Sequence, residues 1–249
     1  MYASSAQSLI SNAGHTGWPK GLLVKKITSV KNAILIETIA IPLITIALIT
    51  LLVNYGIADE HTLVIPAILI AAAMTATFIR RRSLRHIGLN LNNAGLSLRL
   101  LFWTSILILP LTFLVLQLIS SFGFHLPLQQ DIPQQGRWIH WLLFQFLSAA
   151  FAEEVFFRGF MQSNLLILSR SLSRVHRRFH RFTAVCLSAL CFAAAHIIIR
   201  SDLSGIMTFF PGLVFGWLFL RTRSLLAPVL FHGFANICYC LFYIILSQN

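Results

Sequence analysis

Three apolar stretches of this sequence carry polar side chains in pairs spaced four apart, one of them completed by a phenylalanine: Glu154 and Arg158 with Glu153 beside them, Phe192 and His196, and His232 and Asn236. Residues four apart lie on one helix face, so each stretch can aim a polar stripe at a common interior. Carboxylates and imidazoles accept and donate protons, and amide or imidazole N–H groups stabilise developing negative charge. Together the set suits activation of a water and protection of an oxyanion. A lone buried histidine is more often a hydrogen-bonded packing residue. Two histidines, two glutamates, an arginine and an asparagine on three spans weigh toward a site.

The two glutamates separate by geometry. Glu154 is placed for an i,i+4 ion pair with Arg158, which makes these two a structural pair. Glu153 sits about 100° around the helix, away from that arginine and beside a like charge, and is the candidate general base. Each charge near the centre of a membrane helix costs roughly 2.5–3.5 kcal/mol on insertion scales, so the cluster needs partners.

The elements that must position these residues are membrane helices. Of 249 residues, 57% are hydrophobic and only 10% charged, with a mean hydropathy of +0.79, whereas soluble domains carry about 25% charged residues. Runs of about twenty apolar residues predict an all-α, polytopic transmembrane bundle of about seven spans. These are 33–53, 62–79, 98–122, 138–168, 183–199, 206–220 and 225–246. Residues 1–32 form a cytoplasmic or interfacial segment, and 33–249 the bundle, with the candidate catalytic core at 138–246. Within the first segment, Trp18 to Lys31 reads as surface-lying. The fourth span is long enough to overhang one interface or tilt. The sixth, beginning near Pro211, is short.

Basic residues alternate between the two ends. Lys20, Lys25, Lys26, Lys31, Arg80, Arg81, Arg82, Arg85, Arg99, Arg170, Arg174, Arg177, Arg178, Arg181, Arg221 and Arg223 fall on one side. Arg137 and Arg200 lie on the other, with Asp59, Glu60, Asp131 and Asp202. The positive-inside rule places the N-terminus in the cytoplasm and the C-terminus outside. A net charge of +12 so distributed points to anionic lipid rather than nucleic acid. The apolar Cys186, Cys191, Cys238 and Cys240 lack zinc-type spacing. The polar N-terminus lacks a signal-peptide core, so no cleaved leader is expected. Gly212 and Gly216 read as close helix packing. Glu37 is expected to snorkel toward Lys31 or the interface. His140 belongs to an aromatic belt with Trp138 and Trp141, and His176 and His180 to a solvated basic loop.

Glu-Glu-x-x-x-Arg at 153–158, Phe-x-x-x-His at 192–196 and His-x-x-x-Asn at 232–236 resemble, in order and approximate spacing, the three motifs of the CPBP intramembrane proteases. These are the type II CAAX prenyl endopeptidases and their bacteriocin-processing or bacteriocin-immunity relatives. The stretch at 221–230, Arg-Thr-Arg-Ser-Leu-Leu-Ala-Pro-Val-Leu, agrees as well, and the resemblance covers about Trp138 to Tyr243. It implies hydrolysis of a peptide bond in a membrane-associated, lipidated or hydrophobic peptide. Glu153 and His196 would activate water, His232 and Asn236 would form the oxyanion site, and Glu154, Arg158 and Phe192 would support them.

The metal question stays open at this stage. H-E-x-x-H is absent, yet His196, His232 and Glu153 could form a two-histidine, one-carboxylate zinc site. Two other functions compete: a non-catalytic membrane partner or bacteriocin-immunity-type protein using the same pocket for binding, and a small ion or proton transporter. The acid, base and oxyanion candidates favour the peptidase over the first, and the lack of internal repeats disfavours the second. The compact loops suit a bacterial inner membrane. Depth is a tension, because His196 lies four residues before Arg200 while His232 follows Leu225 by only seven. The two meet only if the seventh helix begins late or tilts.

Overall fold

The computed structural model describes residues 20–58, 63–122, 136–168 and 174–246, and the side chains of 20–27 and 174–175 are left aside. Asp59, Glu60, Asp131, Arg170 and residues 1–19 therefore lie outside the described residues. The described chain is all-α, without a strand. Its helices are α1 (Lys20–Asn54), α2 (Val64–Ile79), α3 (Ala94–Ser121), α4 (138–168), α5 (Arg174–Arg200), α6 (Phe209–Thr222) and α7 (Leu226–Leu246). Five helices are long and apolar enough to cross a membrane, and α2 is a shorter apolar one. With α4, this agrees with about seven spans.

Three boundaries differ from the sequence reading, the first at α5, which begins at Arg174 and so takes His176 and His180 into a helix rather than a basic loop. Helix α1 runs unbroken from Lys20 through the position expected to separate an interfacial segment from a span. Before α6, a 3₁₀ turn (Leu203–Thr208) is started by Asp202, whose Oδ1 accepts from Ser204 N at 2.9 Å. Pro211 then falls in the first turn of α6, where its missing N–H costs nothing.

Helix α4 is the centre of the bundle, and it is not uniform. Short α-helical pieces alternate with two π-helical stretches, Gln145–Ala150 and Val155–Gln162, around Phe151–Glu154. Each π turn adds about one residue and so rotates the remainder of the helix by roughly 100°. Every residue from Val155 to Gln162 is buried, packed among α2, α5 and α6. Helix α3 is the opposite case. It packs chiefly on α7 and turns Leu98, Phe102, Trp103, Leu107, Leu111 and Leu118 outward, as a lipid-facing helix would.

The end of the bundle that carries the arginine-rich loops is locked by hydrogen bonds between the α2–α3 and α6–α7 connections. Leu225 N donates to Gly88 O (2.9 Å), Asn90 Nδ2 to Arg223 O (3.0 Å), Asn93 Nδ2 to Thr222 O (2.8 Å) and Ser224 Oγ to Asn90 O (2.7 Å). Gly88 has φ +82°, and a Cβ there would lie 2.5 Å from Phe219 Cε2. Arg82, which burial holds below its ordinary pKa against the opposing charge of Glu37, bonds Asn164 at the end of α4. Glu37 pairs with Arg80, because antiparallel α1 and α2 bring the two to one level.

This lock resolves the depth tension. Ile87 O lies against Gly159, where an added Cβ would sit 2.8 Å away. Gly159 is six residues past Glu153, about 9 Å along the helix. Helix α7 starts at that inward level, and His232, seven residues on from Leu225, rises about 10 Å to meet Glu153. Gly88→Ala should therefore lower stability in detergent by about 1–3 kcal/mol, through the left-handed backbone and the collision with the buried Phe219 ring. Thermal unfolding checks this, and an unchanged midpoint would contradict the lock.

Candidate active site

The structure brings the four catalytic candidates to one cavity of about 180 Å³, lined by Glu153, His196, His232 and Asn236. Helix α4 supplies Glu153 on the short α-helical piece between its π stretches. Helix α5 supplies His196 near its end and α7 supplies His232 and Asn236. Gly233 permits the approach of α7, since a Cβ there would lie 2.3 Å from the Phe146 ring of α4.

Both histidines have one ring nitrogen fixed. His196 Nδ1 lies 2.9 Å from the Phe192 carbonyl one turn back. A carbonyl only accepts, so Nδ1 carries the proton and neutral His196 has an unprotonated Nε2. His232 Nδ1 lies 3.1 Å from Glu154 Oε1, and the same logic with an ionised carboxylate leaves its Nε2 facing Glu153 Oε2 at 3.7 Å. Glu153 is partly open, with 21% of its side chain exposed, whereas Glu154 is fully enclosed.

The sequence reading of Glu154 needs enlarging. The expected ion pair with Arg158 is present, with Nη1 and Oε1 3.2 Å apart and both side chains wholly buried. The same Oε1 also orients His232, so the pair reaches beyond its own helix. Arg158 donates from Nη2 to Gly212 O at 3.1 Å. Its guanidinium lies 4.6 Å from the centroid of Phe192 and 5.2 Å from that of Phe215. Phe192 thus touches Arg158, His196 and His232 at once.

Two site residues escaped the sequence reading. Gln145 Oε1 accepts from Asn236 Nδ2 at 2.8 Å and lines the cavity. Its signal was a polar side chain within Trp-Leu-Leu-Phe-Gln-Phe-Leu, eight residues before Glu153. Phe215 stacks on His232, with ring centroids 4.5 Å apart and planes 16° apart. Nothing distinguishes it among 21 phenylalanines. Gly212 and Gly216 pack closely, as expected, and their carbonyls also receive Arg158 and Gln162.

Residues 135–238 match the family described as type II CAAX prenyl endopeptidase Rce1-like. Over this stretch the chain is similar to that family. The match supports the resemblance to the CPBP intramembrane proteases and, in general outline, a CAAX-type intramembrane protease. No curated protein and no solved structure matches it.

Among the described residues, no three His, Cys, Asp or Glu side chains are grouped to hold an ion. His196, His232 and Glu153, the zinc candidates, line one cavity without forming such a group. His232 turns Nδ1 to Glu154, and His196 turns Nδ1 to its own helix.

Glu154→Gln removes the countercharge from enclosed Arg158 and leaves His232 only a neutral amide acceptor. Breaking one partner of a buried pair costs about 3–5 kcal/mol in soluble proteins. The variant should lose expression and detergent stability, measured by the yield of monodisperse protein and its unfolding midpoint. Full retention of both would remove the structural role of this pair.

Proposed function

We propose that the cavity hydrolyses a peptide bond of a membrane-associated, lipidated or hydrophobic peptide, with Glu153 as general base. The observation that carries this reading is the contrast between the adjacent carboxylates. Glu154 is consumed by Arg158 and His232. Glu153 faces the cavity, and its Oε2 has no hydrogen-bond partner among the described residues.

In this mechanism a water held by Glu153 and His196 gives a proton to the carboxylate as its oxygen attacks the carbonyl carbon. The C=O electron pair moves onto oxygen, and the oxyanion is received by His232 and Asn236. The C–N bond then breaks, and the proton on Glu153 passes to the leaving amine, leaving a carboxylic acid and an amine. Asn236 uses one N–H on Gln145 and keeps the second for the oxyanion. His232 serves as donor only when Nε2 is protonated while Nδ1 remains on Glu154, that is, as imidazolium.

The chain fits a bacterial inner membrane with its N-terminus in the cytoplasm, where the basic loops would meet anionic head groups. Glu153→Gln should lower turnover of a cleaved membrane peptide by about 10²–10⁴-fold with an unchanged unfolding midpoint. Assay of purified protein in detergent against a peptide panel, with and without chelator, checks this. Normal turnover in Glu153→Gln would eliminate the glutamate-base mechanism. Chelator inactivation reversed by zinc would replace it with a metal mechanism. Absence of cleavage across the panel, with peptide binding retained, would favour the non-catalytic partner.

A further inference from the structure

The cavity has a direction, and α2, α4 and α5 give the same one. Its lining comes from the start of α2 (Ile65, Pro66), the first half of α4 (Trp141, Gln145) and the end of α5 (Ile199, Arg200). In an alternating bundle these helix ends lie together, at the end opposite the arginine-rich loops. Toward those loops the site is walled by the fully buried stretch Val155–Gln162. Beyond it lies the lock of Ile87, Thr222, Ser224 and Leu225, each at most 3% exposed.

The two ends differ in charge. Among the described residues, the locked end presents Arg80, Arg85, Arg177, Arg178, Arg221 and Arg223. The mouth end has Arg137 and Arg200, with Asp202 beside the latter. Cationic loops are retained in the cytoplasm. Trp138 and Trp141, with ring centroids 6.0 Å apart, lie near the mouth as an interfacial aromatic pair would.

We infer that the site receives its peptide from the non-cytoplasmic face: the substrate is an extracytoplasmic juxtamembrane segment of a membrane-anchored chain, not a cytoplasmic lipidated tail. The term substrate rests on the peptidase reading above, whereas the side of access does not. The geometry adds a length requirement. From Trp141 to Glu153 is twelve residues, about 18 Å along the helix. A peptide entering at the tryptophan level must therefore extend about five residues, at roughly 3.3 Å each, to bring a bond to Glu153.

Site-directed thiol labelling tests the side without reference to catalysis. In a background with Cys186, Cys191, Cys238 and Cys240 replaced by alanine, single cysteines are placed in the cavity (Ile199→Cys and, independently, Ala149→Cys) and at the arginine-rich start of α5 (Arg177→Cys). Each variant is used only if it elutes as folded protein. A membrane-impermeant maleimide is applied to right-side-out and to inverted vesicles. Either cavity cysteine should label in right-side-out vesicles only, and Arg177→Cys in inverted vesicles only. Cavity labelling confined to inverted vesicles, cavity positions silent in both while Arg177→Cys reacts, or Arg177→Cys reacting from outside would each overturn the inference. None of these outcomes bears on whether Glu153 is a base, and inactivity of the protein would not move the labelling pattern.

Discussion

One carboxylate oxygen, Glu154 Oε1, serves both Arg158 and His232, and the rest of the core is arranged so that this shared contact can exist. A fully enclosed arginine is costly in a membrane interior. It is tolerated here because three kinds of partner act together: the countercharge of Glu154, the Gly212 carbonyl, and the faces of Phe192 and Phe215. Arginine suits the position better than lysine would. Its planar group stacks on rings while its N–H groups point in fixed directions. The ion pair draws α4, α6 and α7 to one point, and the ring contacts bring in α5.

The division of labour between the adjacent glutamates depends on that contact. Neighbours on a helix point about 100° apart, so one can be enclosed while the other faces a cavity. The π stretches on either side make the division sharper. An extra residue per turn re-aims the helix on both sides of Glu153 and Glu154, which puts Gln145 beside Asn236 and Arg158 against Gly212. The same distortion supplies an acceptor for a neighbouring helix, as when Ser188 Oγ donates to Phe157 O at 3.0 Å.

The spans and the three motifs could be read from the sequence because apolar run length and i,i+4 spacing are local properties. The Glu154–Arg158 pair was legible for the same reason. The Glu154–His232 contact was not, since it depends on how deep α7 begins, and that depth is set by Gly88, Asn90 and Asn93 some 130 residues earlier in the chain. Arg80 and Arg82 were read only as topology signals. They also pair with Glu37 and Asn164, contacts that sequence spacing does not encode. The π turns left no compositional trace, because an apolar run looks the same at either helical pitch.

Helix α6 shows how much a site can depend on an element that carries none of its motif. It contributes no proton donor or base, yet Phe215 stacks on His232, Gly212 O accepts from Arg158 and Gly216 O accepts from Gln162. Phe215 opposes rotation of the imidazole out of its plane, and Glu154 opposes rotation within it. Together they define where Nε2 points. A histidine held only by a carboxylate could swing its Nε2 several ångströms, and hydrogen-bond reach to a reacting atom is only about 2.6–3.2 Å. The reach of the candidate active site therefore extends to α6, and a search confined to the three motifs would leave out the ring that holds the second histidine in register.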